Sequence, residues 1–254
     1  MKRVGIMLIC GLLLVSPALL AQQDSDAQDQ QQSQSDNQQS GDRAPQTIEE
    51  LYLSQDVEVQ IIRSQALSTD RSTKLLALQS IRSMVENGTL SSADSELFPV
   101  LETLATSGTR REVRSGGSVI NNFPEIRRQA VGLLGDVGGD EAKSVLADVL
   151  EVEDEPMVQA EAVYALGRLE DERDSRTLDR IARVLSRENA KRGPDNNLAF
   201  ASMLAIEKIA GRVGGISDPD VINALLGVTS GSYIRDVRLK AIDVIYQLRG
   251  GSQS

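Results

Sequence analysis

The sequence predicts an all-α fold, a right-handed α-solenoid of about five helical hairpins. A pattern of an apolar residue or Thr, a small residue four positions later and an aliphatic residue after four more recurs five times. After each of the first four patterns come a break and a second apolar stripe. Hydrophobic residues make up 40% of the chain, but aromatic residues only 3%, with no Trp. Such an aliphatic, alanine-rich composition suits closely packed helices better than β-sandwiches.

The five patterns define the first helix of each predicted repeat. They are Thr73–Ala77–Ile81, Ile126–Ala130–Leu134, Val158–Ala162–Leu166, Leu198–Ser202–Ile206 and Val237–Ala241–Ile245. Steps of four keep the three residues on one helical face, and the small central residue lets a neighbouring helix approach closely. The first residues of successive patterns lie 53, 32, 40 and 39 positions apart. Tandem hairpins of this period are typical of α-solenoids, because a single hairpin cannot bury its apolar face alone.

The breaks and the second stripes define the other helix of each hairpin. The breaks are Asn87–Gly88, Gly138–Gly139, the run "EDERD" at 170–174, and Gly214–Gly215. Glycine just past a helix end adopts the left-handed conformation that stops the helix. The second stripes are "ELFPVLETLA", "AKSVLADVL", "LDRIARVL" and "PDVINALLGV". Pro99 in the first of them is expected to shorten or kink its helix.

The first 46 residues predict that the protein is exported, and they lie outside the predicted helical domain. Lys2 and Arg3, an apolar run over 4–15 and "SPALLA" ending at Ala21 have the form of a signal peptide, residues 1–21. We therefore expect a periplasmic or secreted protein; the alternative is a lipid anchor at Cys10, although Ile9 occupies a position that favours a small residue. Cys10 is the only cysteine, so cleavage would leave none for disulfides. Residues 22–46 are rich in Gln, Ser and Asp and predict a disordered tether.

The helical domain is predicted to occupy residues 47–251. Thr47 and Glu50 have the spacing of a capping box at a helix start. The run "VEVQII" at 57–62 alternates briefly like a strand, but its continuation into "RSQAL" favours a helix.

Two of the repeats resemble a known family. The segments "IRRQAVGLLGDVG" and "VQAEAVYALGRL" resemble HEAT repeats, especially the short form of bilin-lyase-like HEAT proteins, and the resemblance covers about residues 70 to 250. It implies a fold more than a function, since HEAT arrays serve as scaffolds, adaptors and enzyme subunits.

The long first step contains an irregular insert at 106–125. Arg110, Arg111 and Arg114 stand together in Gly/Ser-rich sequence, followed by Val119, Ile120 and Phe123. Insertions in repeat arrays map to loops on one edge, often the binding edge. One hypothesis is that these arginines bind an acidic partner, a carboxylate or a phosphate. The alternative is a solvated connection whose Phe123 packs under the next repeat.

A second basic set follows the first residue of three patterns: Lys74, Arg127 and Arg238. In an array resembling HEAT repeats, these side chains are expected to link acidic neighbours between repeats. A ligand groove is the less favoured interpretation, and Arg127 is kept as a candidate binding residue.

The composition argues against several function classes. The chain has no histidine, which removes Ser-His-Asp and Cys-His catalysis and the usual zinc sites. We expect no catalytic residue, no metal and no cofactor. The net charge is −10, or −12 without Lys2 and Arg3, which disfavours nucleic acid. The acidic cluster Glu151–Glu155 offers oxygen ligands for calcium, which leaves a calcium site as an alternative, but it lacks the spacing and turn glycine of an EF-hand loop.

The sequence therefore favours a non-enzymatic, exported scaffold or adaptor that holds a protein partner on its concave face. No transmembrane span is expected. One alternative is an accessory subunit or small-ligand-binding protein, as the bilin-lyase-like resemblance implies. Another is an envelope component that self-associates through its terminal repeats; the sequence leaves the oligomeric state open.

Overall fold

The computed structural model describes residues 48–90, 96–169 and 174–250. These residues contain ten helices and one short β-hairpin. The helices are α1 (Ile48–Leu67), α2 (Arg71–Glu86), α3 (Phe98–Ala105), α4 (Pro124–Val137), α5 (Gly139–Val152), α6 (Pro156–Arg168), α7 (Asp174–Asn189), α8 (Asn196–Val213), α9 (Pro219–Ser230) and α10 (Arg235–Gly250). The strands are β1 (Arg114–Ser115) and β2 (Ser118–Val119). The predicted signal peptide, tether and Thr47 cap lie outside the described residues, as does most of "EDERD".

The helices form two layers. The even-numbered helices α2, α4, α6, α8 and α10 pack side by side in one layer, and the odd-numbered helices α1, α3, α5, α7 and α9 pack in the other. Each helix also packs against a chain neighbour in the opposite layer. The predicted all-α solenoid of helical hairpins is therefore confirmed. The pairing within the hairpins differs from the prediction, because α2, α4, α6 and α8 each pack more closely against the odd-numbered helix that precedes them than against the one that follows. The hand of the superhelix stays a prediction.

Each even-numbered helix carries one of the five predicted patterns. All fifteen pattern residues except Thr73, which is half-buried, lie in the core. Small residues let the even helices approach closely: a Cβ added at Gly135 would lie 2.7 Å from the Cβ of Ala165, and one at Gly167 would lie 2.5 Å from the Cα of Ala205. Both glycines stand nine positions after the first residue of their pattern, and both alanines stand seven positions after theirs. The same contact thus recurs from α4 to α6 and from α6 to α8.

The helix ends agree with the sequence signals. Gly138 and Gly214 are C-caps with φ of +73° and +77°. The run "VEVQII" lies within α1, so the helical interpretation is correct. Pro99 lies in the first turn of α3, a helix of eight residues, where its missing N–H costs no intrahelical hydrogen bond. At the start of α2, hydrogen bonds from Thr73 hold the pKa of Asp70 below its usual range.

Within the described residues, none of the helices combines the length and the apolar character that a membrane crossing requires.

Candidate functional site

The irregular insert folds as a β-hairpin. β1 and β2 pair antiparallel, with Arg114 opposite Val119 and Ser115 opposite Ser118. Gly116 and Gly117 form the turn with φ of +57° and +84°. Positive φ at both central residues is the requirement of the tight hairpin turn that matches strand twist. The Gly/Ser-rich segment of the insert therefore specifies a defined hairpin.

Asn121 fixes the base of this hairpin. Its Oδ1 accepts a hydrogen bond from the Val113 backbone N–H at 2.8 Å, and its Nδ2 donates to the Arg111 carbonyl at 2.6 Å. The Ser107 hydroxyl donates to the Asn121 carbonyl at 3.2 Å. Asn121 is only 4% exposed, so these bonds are shielded from water.

A buried ion pair joins the insert to two repeats. Arg127 of α4 donates from Nε to Glu153 Oε2 at 2.6 Å and from Nη2 to Glu153 Oε1 at 3.1 Å. Its Nη1 donates to the Ser107 carbonyl at 3.1 Å and to Asn122 Oδ1 at 2.7 Å. Both side chains are at most 3% exposed. Because the fork geometry is bidentate and further hydrogen bonds satisfy both groups, the pair is compensated for its desolvation.

These contacts separate the predicted binding residues into two groups. Arg110, Arg111 and Arg114 are exposed on the insert, whereas Phe123 packs against the core and Arg127 lies inside it. Arg110 pairs with Asp148 at 3.2 Å, and Arg114 pairs with Glu112. Arg111 makes no ion pair with any residue that the structure describes. The structure thus places Phe123 and Arg127 between the insert and the core and leaves the other three arginines on the surface.

The three basic residues at the shared pattern position, Lys74, Arg127 and Arg238, lie in different environments. Arg127 links two repeats through an acidic neighbour, as predicted for the whole set. Lys74 is buried, its Nζ donates to the Ala66 carbonyl at 2.5 Å, and burial lowers its pKa. Arg238 is exposed on α10. The shared sequence position therefore does not create one continuous ladder.

An apolar groove runs across α6, α8 and the start of α10. Its volume is about 470 Å³. Met157, Phe200 and Ile234 line it and are 38%, 40% and 56% exposed. We call the concavity lined by these three residues together with Tyr164 and Leu204 the apolar groove. No local motif marks this groove in the sequence, because its residues come from three repeats.

Polar groups surround the apolar groove. Asn197 and Asp236 are exposed at its edge, and Asn196 Oδ1 accepts the Ile234 backbone N–H at 2.9 Å. Two cations lie near the Tyr164 ring, with Arg168 at 5.4 Å and Lys208 at 5.2 Å from its centre. An apolar floor with a polar rim is the anatomy of protein interfaces.

Helix α7 carries a stripe of arginines that the sequence-based predictions did not include. Arg176, Arg180, Arg183 and Arg187 recur at steps of four, three and four, so they share one helical face. Three of them, Arg180, Arg183 and Arg187, line a cleft of about 520 Å³ that also includes Asp220. Arg180 pairs with Glu151, and Arg187 donates to the Leu150 carbonyl at 3.3 Å, so half of the stripe links α7 to α5.

The carboxylates of Glu151 and Glu153 from the acidic cluster are engaged by arginines of α7 and α4. Across residues 48–90, 96–169 and 174–250, no group of three or more Asp, Glu, His or Cys side chains is arranged to hold a metal ion.

Comparison with known proteins gives one match. Residues 118–192 match the family model of HEAT repeats. No curated protein and no solved structure matches the chain. The matched stretch begins at β2 and includes α4, α5, α6 and α7, with the Gly135–Ala165 contact and the Arg127–Glu153 pair. The resemblance to HEAT repeats that the sequence suggested is thereby confirmed over residues 118–192.

Proposed function

We propose that this chain is a non-enzymatic scaffold of the cell envelope that binds a protein partner in the apolar groove. HEAT repeats in general point to a protein-interaction scaffold. Export, the envelope location and the use of this groove are the parts that we add. The observation on which the proposal rests is the exposure of Met157, Phe200 and Ile234 in one concavity.

The groove suits an apolar side chain or helix of a partner. Its lining comes from three successive even-numbered helices, which pack on one another through buried residues and hold the groove in place. Burying the exposed part of each apolar lining residue would contribute on the order of 1 kcal/mol. The exposed amide of Asn197 and the carboxylate of Asp236 at the edge would pair with polar groups of the partner and fix its orientation.

Site-specific photo-crosslinking in the native cell tests the groove. A photoreactive residue is placed at Phe200, and the same residue at Leu226 of α9 is the matched control, since Leu226 is similarly exposed at 45%. We expect an adduct from position 200 alone, and we expect Met157→Asp or Ile234→Asp to abolish it. Equal adducts from both positions, or adducts that survive both substitutions, would contradict the proposal.

The export half of the proposal has a separate test. Mass spectrometry of the protein isolated from the envelope fraction should find an N-terminus at Gln22, as the sequence of the first 21 residues predicts. Recovery of the chain in the cytoplasm with Met1 or Lys2 intact would refute export and leave the scaffold role standing.

The exposed insert arginines form a second proposed contact, with an acidic group of a partner. The observation that favours them is the exposure of Arg111 without an ion pair among the described residues. Replacing Arg110, Arg111 and Arg114 together by Ala should weaken partner binding and increase its tolerance of salt. Unchanged binding at low salt would refute this contact.

A further inference from the structure

Helix α10 has two apolar faces. One face, with Val237, Ala241, Val244 and Leu248, is buried against α8 and α9. Another face presents Leu239, Ile242 and Tyr246, which are 45%, 38% and 70% exposed. These three residues follow at steps of three and four and therefore form one stripe. An exposed apolar stripe of this kind marks an interaction surface.

The stripe occupies the positions that stack one repeat on the next. In α4 and α6 the residues nine positions after the start of the pattern, Gly135 and Gly167, face the following even-numbered helix. The residues five positions after the start are buried in α4, α6 and α8: Val131, Val163 and Met203. Ile242 and Tyr246 hold these same two positions in α10, and Leu239 lies one turn before Ile242 on the same face. In the described part of the chain, all three side chains remain at least 38% exposed.

Charged residues flank the stripe with opposite signs. Arg238 precedes Leu239, and Asp243 follows Ile242; both are exposed, and neither forms an ion pair with a described residue. In heptad terms Leu239 and Tyr246 occupy a positions, Ile242 a d position, Arg238 a g position and Asp243 an e position. In a parallel pair of helices, a g residue faces the e residue five positions later on the partner helix, and such pairs set the orientation.

We infer that this face of α10 binds a second copy of the chain, with the two α10 helices parallel and in register. Leu239, Ile242 and Tyr246 then meet their own equivalents, and Arg238 of each copy pairs with Asp243 of the other. An antiparallel arrangement would place both Arg238 side chains on one edge of the interface and both Asp243 side chains on the other. The complementarity resides within one helix, which favours a two-fold dimer over an unrelated partner. This inference uses a surface separate from the apolar groove.

Sedimentation equilibrium from about 1 μM to about 1 mM protein tests the dimer. We expect a dimer that Leu239→Asp weakens more than tenfold, since it places a charge in the apolar seam. Leu76→Asp is the matched control at the opposite end of the array, where Leu76 is 50% exposed; it should change the dissociation constant less than about twofold. A monomer at every concentration overturns the inference. If both variants weaken association equally and the wild-type protein forms assemblies larger than dimers, the inference is also overturned, in favour of head-to-tail assembly.

A charge exchange tests the orientation. Arg238→Asp and Asp243→Arg should each weaken the dimer about threefold or more, and the double variant should restore it. Both positions are exposed, so the melting temperature of the monomer serves to show that each variant folds. No recovery in the double variant contradicts the proposed pairing.

A disulfide test fixes the register. In a Cys10→Ser background, Tyr246→Cys should form a disulfide-linked dimer on mild oxidation, because equivalent a residues meet in a parallel pair. A dimer that forms without this crosslink indicates another arrangement and overturns the inference.

Discussion

Two regions hold the array together by opposite means. One is the stack, in which α4, α6 and α8 pack side by side, and the other is the junction, the buried ion pair of Arg127 and Glu153. In the stack, missing side chains at Gly135 and Gly167 bring helix backbones close to Ala165 and Ala205. At the junction, a buried arginine and a buried glutamate meet at 2.6 Å, and the arginine also donates to the Ser107 carbonyl of the insert. The stack is therefore sensitive to added side-chain volume, and the junction is sensitive to the removal of a charge.

The largest expected effect comes from breaking the junction. Arg127→Met leaves Glu153 as an uncompensated buried carboxylate, and we expect the free energy of unfolding to fall by about 3–5 kcal/mol. Urea denaturation measures it. The double variant Arg127→Met with Glu153→Gln removes the isolated charge and should recover at least about half of the loss. A loss in the single variant as small as that of an exposed pair would show that the junction contributes little.

A smaller effect is expected from adding one methyl group to the stack. Gly167→Ala places a Cβ 2.5 Å from the Cα of Ala205, so one of the helices must shift. We expect a loss of about 1–3 kcal/mol, read from the same denaturation curves.

Gly132→Ala is the matched control, because it makes the same change in the interior of α4. Its Cβ would lie 3.5 Å from the flexible Glu161 side chain, an ordinary contact. Here the better helix propensity of Ala should stabilise by up to about 1 kcal/mol. The same sign for both glycines would show that helix propensity, and not close approach, determines the response.

The smallest effect is expected at the hydrogen bonds of Tyr233 and Asn189, a polar contact without an ion pair. Tyr233 donates to Asn189 Oδ1 at 2.7 Å, and Asn189 Nδ2 donates to the Ala224 carbonyl at 2.9 Å. Burial raises the pKa of Tyr233 above the ordinary value of 10.0. Since the folded-state pKa is the higher one, this contribution is fully present below pH 10 and is lost as the pH rises from there. Tyr233→Phe should flatten the decline of stability above that pH in denaturation curves; an identical decline would assign it to other groups.

Periodicity predicted the core of this protein well. The five patterns, read only from spacing, found fourteen buried positions, because a helix in a two-layer array has one face that must be covered. The glycine signals located Gly138 and Gly214 as helix ends for a comparably local reason, the backbone conformation that glycine tolerates.

The site could not be predicted in the same way, because its residues act through distant partners. Arg127 is a surface residue by composition, and only the position of Glu153, 26 residues later, makes it a core residue. Asn121 fixes the insert through its side-chain amide, a role that no spacing encodes. The stripe of arginines on α7 was visible in the sequence through its steps of four, three and four, although its ion pair with Glu151 was not.

The links between repeats join residues that are close in sequence, and this affects the order in which the chain folds. Among the described side-chain hydrogen bonds, the greatest sequence separation is 54 residues, between Arg71 and Glu125. Contact order is therefore low for a chain of this length, and loop closure costs little entropy at each step. Nearest-neighbour coupling then predicts that folding starts in a few adjacent helices and spreads outward, and that unfolding begins by fraying at the ends. The central repeats, with their closest backbone contacts, would be the last to open.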